Sequence, residues 1–417
     1  MTNGTDILII GAGAAGMMAA IFAARAGARV LLAESNEKMG KKLYITGKGR
    51  CNLTNAAEPD AFMKNIVRNP RFMYAALNAF DNRALMDMIG ALGVPLKVER
   101  GGRVFPVSDH ASDITRALEK EIRRLGVECR FGACVQSVDV EAGAVTGVRF
   151  KEGGRVAARR VIIATGGLSY PLTGSTGDGL RIAEQTGHRV TKPRCALVPI
   201  ETVETWPRNL MGLSLKNVVL SASQGKKKLF KEQGELLFTH FGLSGPLVLT
   251  LSSLLPDPCQ GVALAIDLKS ALDESALDKR LLRDYAAMRG RTLRSAMELL
   301  APKSLAAQLI ELLGFSPKQQ VDTVTQAQRR QIVTLIKHLP LTVKGTRGFD
   351  EAIVTRGGVD TRDISPSTMA SRKVDGLYFA GEVIDVDALT GGFNLQLAFS
   401  TGALAGNSAA QSLSGDL

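Results

Sequence analysis

Residues 6–34 read DILIIGAGAAGMMAAIFAARAGARVLLAE and change hydrophobic pattern twice. The apolar run Asp6–Ile10 has the length and β-branched content of a buried strand. An Ala-rich stretch then carries helical periodicity to about Ala26, and a second apolar run covers Arg29–Ala33 and ends at Glu34. Strand, helix and strand make a complete βαβ unit with a glycine-rich first turn. Gly11 permits the tight turn, Gly13 lets the backbone approach a pyrophosphate, and Gly16 lets helix and strand pack closely, with Ala14 and Ala15 in the same turn. Glu34 is placed to accept from ribose hydroxyls.

Further along, the pattern predicts helices over roughly 71–92 and 112–125 and paired strands near 127–150. RRVIIATGG (159–167) is a short buried strand that runs into Thr165-Gly166-Gly167 and has no GxGxxG of its own. Thr176-Gly177-Asp178-Gly179 precede another helix. DGLYFAGEVIDVDALTGGFNLQLAFSTGALAG (375–406) gives a strand, Ala-Gly-Glu, a loop and a final amphipathic helix. One dinucleotide fold is therefore expected, assembled from both ends of the chain. Between them the character changes. Pieces such as LVPIETV and NVVLSAS read as strands, and TLRSAMELL, SLAAQLIELLG and QAQRRQIVTLIKHL read as helices. The expected fold class is α/β: a Rossmann-like cofactor-binding domain over 1–190 and 346–417, with an inserted mixed β/α substrate domain over 191–345 whose inner face closes over the cofactor.

Composition narrows the class. With 417 residues, 45% hydrophobic and 22% charged, the chain has material for more than one core. No apolar run approaches the ~20 residues of a membrane span, and Asp6 with Gly11, Gly13 and Gly16 breaks the N-terminal run, so a cytoplasmic enzyme is expected. Cys51, Cys129, Cys134, Cys195 and Cys259 are scattered without zinc-like spacing, which predicts reduced thiols and no structural metal. The net charge is +12, and residues 191–345 carry 21 Lys+Arg against 13 Asp+Glu, or +8 of it. Anionic partners are compatible with that excess, as is a solvated basic surface, since GKKKLFK (225–231) has little aromatic content to stack a base.

GAGAAG with Glu34, ITGKGRCNLTN, VIIATGG, TGSTGDG, LLFTHFGLSGP, VTRGGVD and GLYFAGEVIDVDALTGGFNLQLAFSTG together resemble the HI0933-like family of FAD-dependent flavoproteins nearly end to end. That family includes bile-acid Δ4,6-reductases, a ribosomal-RNA dihydrouridine synthase and aminoacetone oxidases. The resemblance implies FAD as cofactor. It implies that Lys42, Gly47, Gly49, Arg50, Cys51 and Asn52 form a loop folded back over it, with Lys42, Lys48 and Arg50 balancing phosphate or flavin charge. A loop stapled by its own hydrogen bonds is the competing reading for Arg50 and Asn52, and a packed thiol the favoured one for Cys51. Val135, Ala164, Thr165, Gly166, Gly167, Asp178, Gly381, Glu382, Gly392, Phe393, Asn394 and Gln396 complete the implied cofactor contacts.

With one nucleotide-binding unit, NAD(P)H is expected as a transient electron donor, or another reductase supplies electrons. Fumarate reductases hold their substrate with an Arg in Asn-Arg-Leu-Gly, whereas this chain has Asn394-Leu395-Gln396, which argues against fumarate. The resemblance points instead to reduction of a C=C bond conjugated to a carbonyl in a steroid-like or anionic small molecule, by hydride from flavin N5. Such a site needs an oxyanion donor and an acid. Arg356, His240 and Tyr170 are the candidates, with Asp385 and Asp387 read as orienting backbone amides. An RNA-modifying flavoenzyme and an amine oxidase of the aminoacetone type are the alternatives.

Overall fold

The computed structural model describes residues 4–414, which divide into two compact units, one running to Ala196 and resuming at Phe349, the other Leu197–Gly348. The division falls later than 190 at its first edge because the strand Val190–Ala196 pairs antiparallel with Val354–Val359 and so belongs to the first unit.

Among the described residues the first unit holds a seven-stranded sheet. Its order is Glu128–Arg130, Val30–Ala33, Thr5–Ile10, Arg155–Ile163, Ala144–Phe150, Val135–Glu141, and Leu377–Phe379 also pairs with Arg155–Ile163. Five of these strands, Glu128–Arg130, Val30–Ala33, Thr5–Ile10, Arg155–Ile163 and Leu377–Phe379, run parallel, with Ile7 facing Val30 on one side and Arg160 on the other. Ile7, Leu8 and Ile9 are wholly buried, as a parallel sheet covered on both faces requires. The chain leaves Thr5–Ile10 for one neighbour and returns much later on the other, so the carboxyl end of that strand is the switch point where α/β sheets bind ligands.

Two helices frame that point. The first, Ala14–Arg25, is Ala-rich because it is buried nearly all round. The last, Phe393–Leu413, lies against it so closely that a Cβ on Gly402 or Gly406 would come within 2.3 Å of the carbonyl oxygen of Ala15 or Ala19. A small three-stranded sheet of Thr54–Asn55, Arg103–Pro106 and Leu96–Glu99 completes this unit's sheet inventory, beside the Val190–Ala196 pair.

The second unit is a closed barrel of Ile200–Thr202, Gly242–Ser244, Lys227–Phe238, Ser214–Gln224, Ala263–Asp267 and Leu339–Thr346. Helices Glu274–Ala287, Lys303–Leu313 and Gln326–Lys337 join its apolar core. The helix Glu274–Ala287 had no counterpart in the sequence reading. Its signal was present: Asp273 caps it by accepting from Ala276 N, and Leu277, Leu281 and Tyr285 recur on one buried face. No helix among the described residues is long and apolar enough to cross a membrane.

The helix seam makes a direct prediction. Gly406→Val forces a side chain into the Ala19 carbonyl and should destabilise the first unit by about 1–3 kcal/mol or more. Urea unfolding followed by probes in each unit separately should show the loss in the first unit's transition, while Gly314→Ala, at the exposed end of a barrel-unit helix, should leave that transition in place.

Candidate cofactor site

A cavity lies wholly in the first unit, at the carboxyl end of Thr5–Ile10, where Gly11, Gly13, Glu34, Lys42 and Thr165 are among the residues that line it. The three glycines of the first turn sit in different surroundings. Gly11 has φ +97°, and a Cβ there would sit 2.7 Å from the Ala164 carbonyl. A Cβ on Gly16 would overlap the Gly11 carbonyl at 1.8 Å. Gly13 has nothing within 4 Å of its Cβ position, so the backbone there borders open cavity.

The first helix has no side-chain cap, which leaves its first-turn N–H groups available to an anion at the cavity wall formed by Gly13, Ala14 and Ala15. The last helix is likewise uncapped by a side chain, and Asn394, Leu395, Leu397, Ala398 and Thr401 of its first turns line the same cavity. Two positive helix ends therefore border one space. Thr165 also lines it, and its hydroxyl is buried with no partner among the described residues. A buried hydroxyl without a partner, an open glycine and uncapped helix N–H groups fit a dinucleotide.

Glu34 sits at the far wall, 8% exposed. Its Oε2 accepts from Ala12 N at 2.7 Å, and its Oε1 accepts from Asn36 N at 2.9 Å, Asn36 Nδ2 at 2.7 Å and Ser35 Oγ at 3.3 Å. Oε1 is fully subscribed, and Oε2 keeps room for one more donor. Asn36, missed from the sequence, thus joins Glu34 at this wall of the cavity, which Cys134, Val135 and Asp178 also line.

At the other side Lys42 and Glu382 face the cavity as an ion pair at 3.2 Å. Lys42 Nζ also donates to Ser169 Oγ at 3.0 Å, and Ser169 Oγ donates to Glu382 Oε1 at 2.9 Å. Thr355 N donates to the same Oε1 at 2.7 Å, while Thr355 Oγ1 accepts from Leu168 N and Ser169 N. Burial alone would raise the pKa of Glu382, but Lys42 and these hydrogen bonds outweigh it and hold the carboxyl below its ordinary value. Ser169 and Thr355 were not singled out in sequence, and no local signal marks them.

Ala164, Gly166 and Gly381 also line the cavity, whereas several expected contacts lie off its wall. Gly16 serves helix packing alone. Gly47 and Gly49 are exposed, in a loop where Lys48 and Cys51 also adopt positive φ. Arg50 lies 4.0 Å over the Phe105 ring and pairs with Glu99 at 2.8 Å and Asp109 at 3.1 Å, which ties the loop to the three-stranded sheet. Cys51 is fully buried and its thiol is pushed up to about 12, the chemistry of an inert packed thiol. The Asn52 amide, turned to satisfy both neighbours, bridges Thr54 O and Gly392 N. Gly167 packs on Thr355, Gly392 on the Thr54 backbone and Phe393 edge-on to Phe62 at 4.8 Å. Gln396 is buried between Thr54, Phe80 O and Ser400. These residues build the cavity's frame and leave its wall to others.

The three catalytic candidates fall in different places. Tyr170 is half-buried at φ 50°, its pKa raised by burial and by Glu351. Arg356 is half-buried on Val354–Val359, next to Thr355. His240 belongs to the barrel unit, where it is exposed with its ring edge-on to Phe241 at 4.9 Å.

Residues 5–408 match the family model described as HI0933-like protein Rossmann domain. The chain is 33% identical over 97% of its length, and 98% of the relative's, to 3-dehydro-bile acid Δ(4,6)-reductase of Clostridium scindens. It is 36% identical over 95% of its length, and 96% of the relative's, to ribosomal RNA dihydrouridine synthase of Escherichia coli. Among solved structures it shares its fold with 3-ketosteroid Δ1-dehydrogenase of Sterolibacterium denitrificans, with TM-score 0.55, 16% identity and coverage of 99% and 100% of the two chains. The dinucleotide cavity and these whole-length matches lead to one conclusion: the chain belongs to the HI0933-like family of FAD-dependent oxidoreductases, with a Rossmann-type FAD-binding domain drawn from both ends of its sequence.

Proposed function

We propose that this protein reduces a carbon–carbon double bond conjugated to a carbonyl, in a steroid-like enone, with NAD(P)H as the transient electron donor. FAD, when bound, supplies the hydride and its two electrons. The protein's own groups do the rest. First-helix N–H groups and the open Gly13 backbone hold the pyrophosphate, Glu34 and Asn36 the ribose, and Lys42 with Glu382 a fixed charge pair beside the cofactor.

The observation that carries the reductase reading is the position of Arg356. Val354, two residues before it on the same strand, lines the cavity, and Gly358, two residues after it, lies so close to Val383 O that a Cβ would come within 2.5 Å. The strand is thereby held against the turn that carries Glu382 and the cavity-lining Ile384. A guanidinium anchored there is suited to stabilise a carbonyl oxygen that turns negative as hydride reaches the β-carbon. The name of the Clostridium scindens relative, a bile-acid Δ(4,6)-reductase, supports an enone substrate. We assign substrate choice to the Leu197–Gly348 unit.

One observation favours a second substrate for the same chemistry. Lys226, Lys227, Lys228 and Lys231 are exposed together on one barrel hairpin. An RNA backbone is a fitting partner for such a surface, and the Escherichia coli relative is named a ribosomal RNA dihydrouridine synthase. Uridine also carries a C=C bond conjugated to a carbonyl.

Two measurements test the reading. The purified protein should release FAD and not FMN, and Glu34→Gln should weaken FAD binding by about 1.5–3 kcal/mol, roughly 10- to 100-fold in Kd by equilibrium dialysis. A protein that takes up no FAD would end the proposal. In rapid-mixing experiments without oxygen, Arg356→Ala should leave reduction by NAD(P)H nearly unchanged and slow reoxidation by substrate ~10²–10³-fold. Offering the reduced protein enones in one arm and uridine-containing RNA in the other separates the two substrates. RNA binding that weakens steeply with salt together with RNA-dependent reoxidation would select the second.

A further inference from the structure

Asp387 is fully buried, and neither of its carboxylate oxygens has a hydrogen-bond partner among the described residues. Asp385, two residues earlier, is satisfied by Arg68 Nε at 2.5 Å. The loop that carries Asp387 is fixed by other groups. Val67 N and Arg68 N donate to the Asp387 carbonyl at 2.9 and 3.2 Å, and Leu389 N donates to Asn65 O at 2.9 Å. The Asn394 side chain bonds Ala388 at both N and O, at 2.9 and 2.7 Å. The Asp387 carboxyl therefore orients no backbone amide, and the sequence reading of it as a loop brace does not describe what its side chain does. Loop stability gives no reason for a carboxyl here, because a buried polar group without partners weakens a fold.

Its surroundings are chemically specific. The preceding residues Ile384 and Val386 line the cavity. The charged groups that act on Asp387 come from each neighbouring segment: Arg356 from the strand Val354–Val359, Asp385 from its own loop, Arg68 from the segment bonded to that loop, and Glu382 from the turn before it. Burial pushes the carboxyl up to about 6, Asp385 and Glu382 push the same way, and Arg356 and Arg68 pull against them. An acid that is neutral just below neutrality yet has a cation at hand for its ionised form is suited to give up a proton and take it back.

We propose that Asp387 holds the proton that completes reduction of the conjugated double bond, with Arg356 as the counter-charge for the carboxylate left behind. This rests on the reductase reading above and applies equally to an enone and to uridine. Once hydride has reached the β-carbon, the negative charge lies on the carbonyl oxygen and the α-carbon. The Asp387 O–H bond breaks, a C–H bond forms at the α-carbon, and the carbonyl is restored. The Asp387 carboxylate, beside Arg356, then recovers a proton from water. The acid form is the active one, so the reoxidation step slows as pH rises through the Asp387 titration.

The first test needs neither cofactor nor substrate. Carbon-13 NMR of the FAD-free protein labelled at Asp should show one carboxyl that titrates about two pH units above the ordinary aspartate range, that is absent in Asp387→Asn, and that moves further up in Arg356→Ala. A carboxyl titrating in the ordinary range, or one indifferent to Arg356→Ala, overturns the proposal. The second test uses the FAD-loaded protein with whichever substrate reoxidises it. Asp387→Asn should slow reoxidation ~10²–10⁴-fold and abolish its high-pH decline, while reduction by NAD(P)H keeps its rate. Reoxidation in Asp387→Asn with the wild-type rate and pH profile also overturns it. If neither enone nor RNA reoxidises the wild-type protein, the reductase reading falls and the proton-holding role falls with it, whereas a shifted titration would still stand as a property of the buried carboxyl.

Discussion

The first unit depends on a contact between two backbones. Gly402 and Gly406 of the last helix meet the carbonyls of Ala15 and Ala19 at distances that admit no side chain between them. Helices usually approach to 8–10 Å across interdigitated side chains; here small residues remove that spacer. The approach draws the amino ends of both helices to one side of the sheet, where Gly381, beside Ala15, donates its N–H to Thr401 Oγ1 at 2.9 Å. The Ala-rich first helix and the Gly-bearing last helix are one solution to one problem: two uncapped helix ends must border the same cavity.

That geometry gives the site an electrostatic bias before any ligand arrives. Helix ends attract anions, and Lys42 adds a full positive charge at the wall. Glu382 limits the bias. It pairs with Lys42 and accepts from Ser169 and Thr355, so the wall carries a positive end toward the helices and a neutralised pair elsewhere. The same Thr355 that donates to Glu382 precedes Arg356, which links the cofactor wall to the strand that carries the oxyanion candidate.

The local parts of this arrangement were legible in the sequence and the long-range parts were not. Gly11, Gly13, Gly16 and Glu34 lie within one βαβ unit, so spacing alone brings them together, and the fold puts Gly11 and Gly16 in close backbone packing, Gly13 beside open space and Glu34 at the cavity wall. Lys42 meets Ser169 across 127 residues and Glu382 across 340, and no local pattern encodes such pairs. The loop Gly47–Asn52 is ambiguous in sequence for a different reason. A glycine-broken basic segment has the same composition whether it covers a phosphate or braces a sheet, and Arg50 braces the sheet through Glu99, Asp109 and Phe105. In the barrel unit NVVLSAS lies within the strand Ser214–Gln224, and of LVPIETV only Ile200–Thr202 is strand. Closure through Ile200–Thr202 against Leu339–Thr346 joins segments from opposite ends of the insert, which periodicity does not report.

Asp385 and Asp387 show what a structure adds to a motif. In the sequence DVDALTGG they are equivalent acids in a loop. Folded, they part company. Asp385 receives a guanidinium and becomes a strut, while Asp387, given no donor, is left with burial as its dominant influence. The Arg68 pair, the Asn65 and Asn394 contacts and the Val67 bond fix the loop without the second acid's side chain. A side chain relieved of structural duty, buried, and faced by Arg356 can change its charge without disturbing the loop. That freedom is what separates a group that can do chemistry from one that only holds a shape.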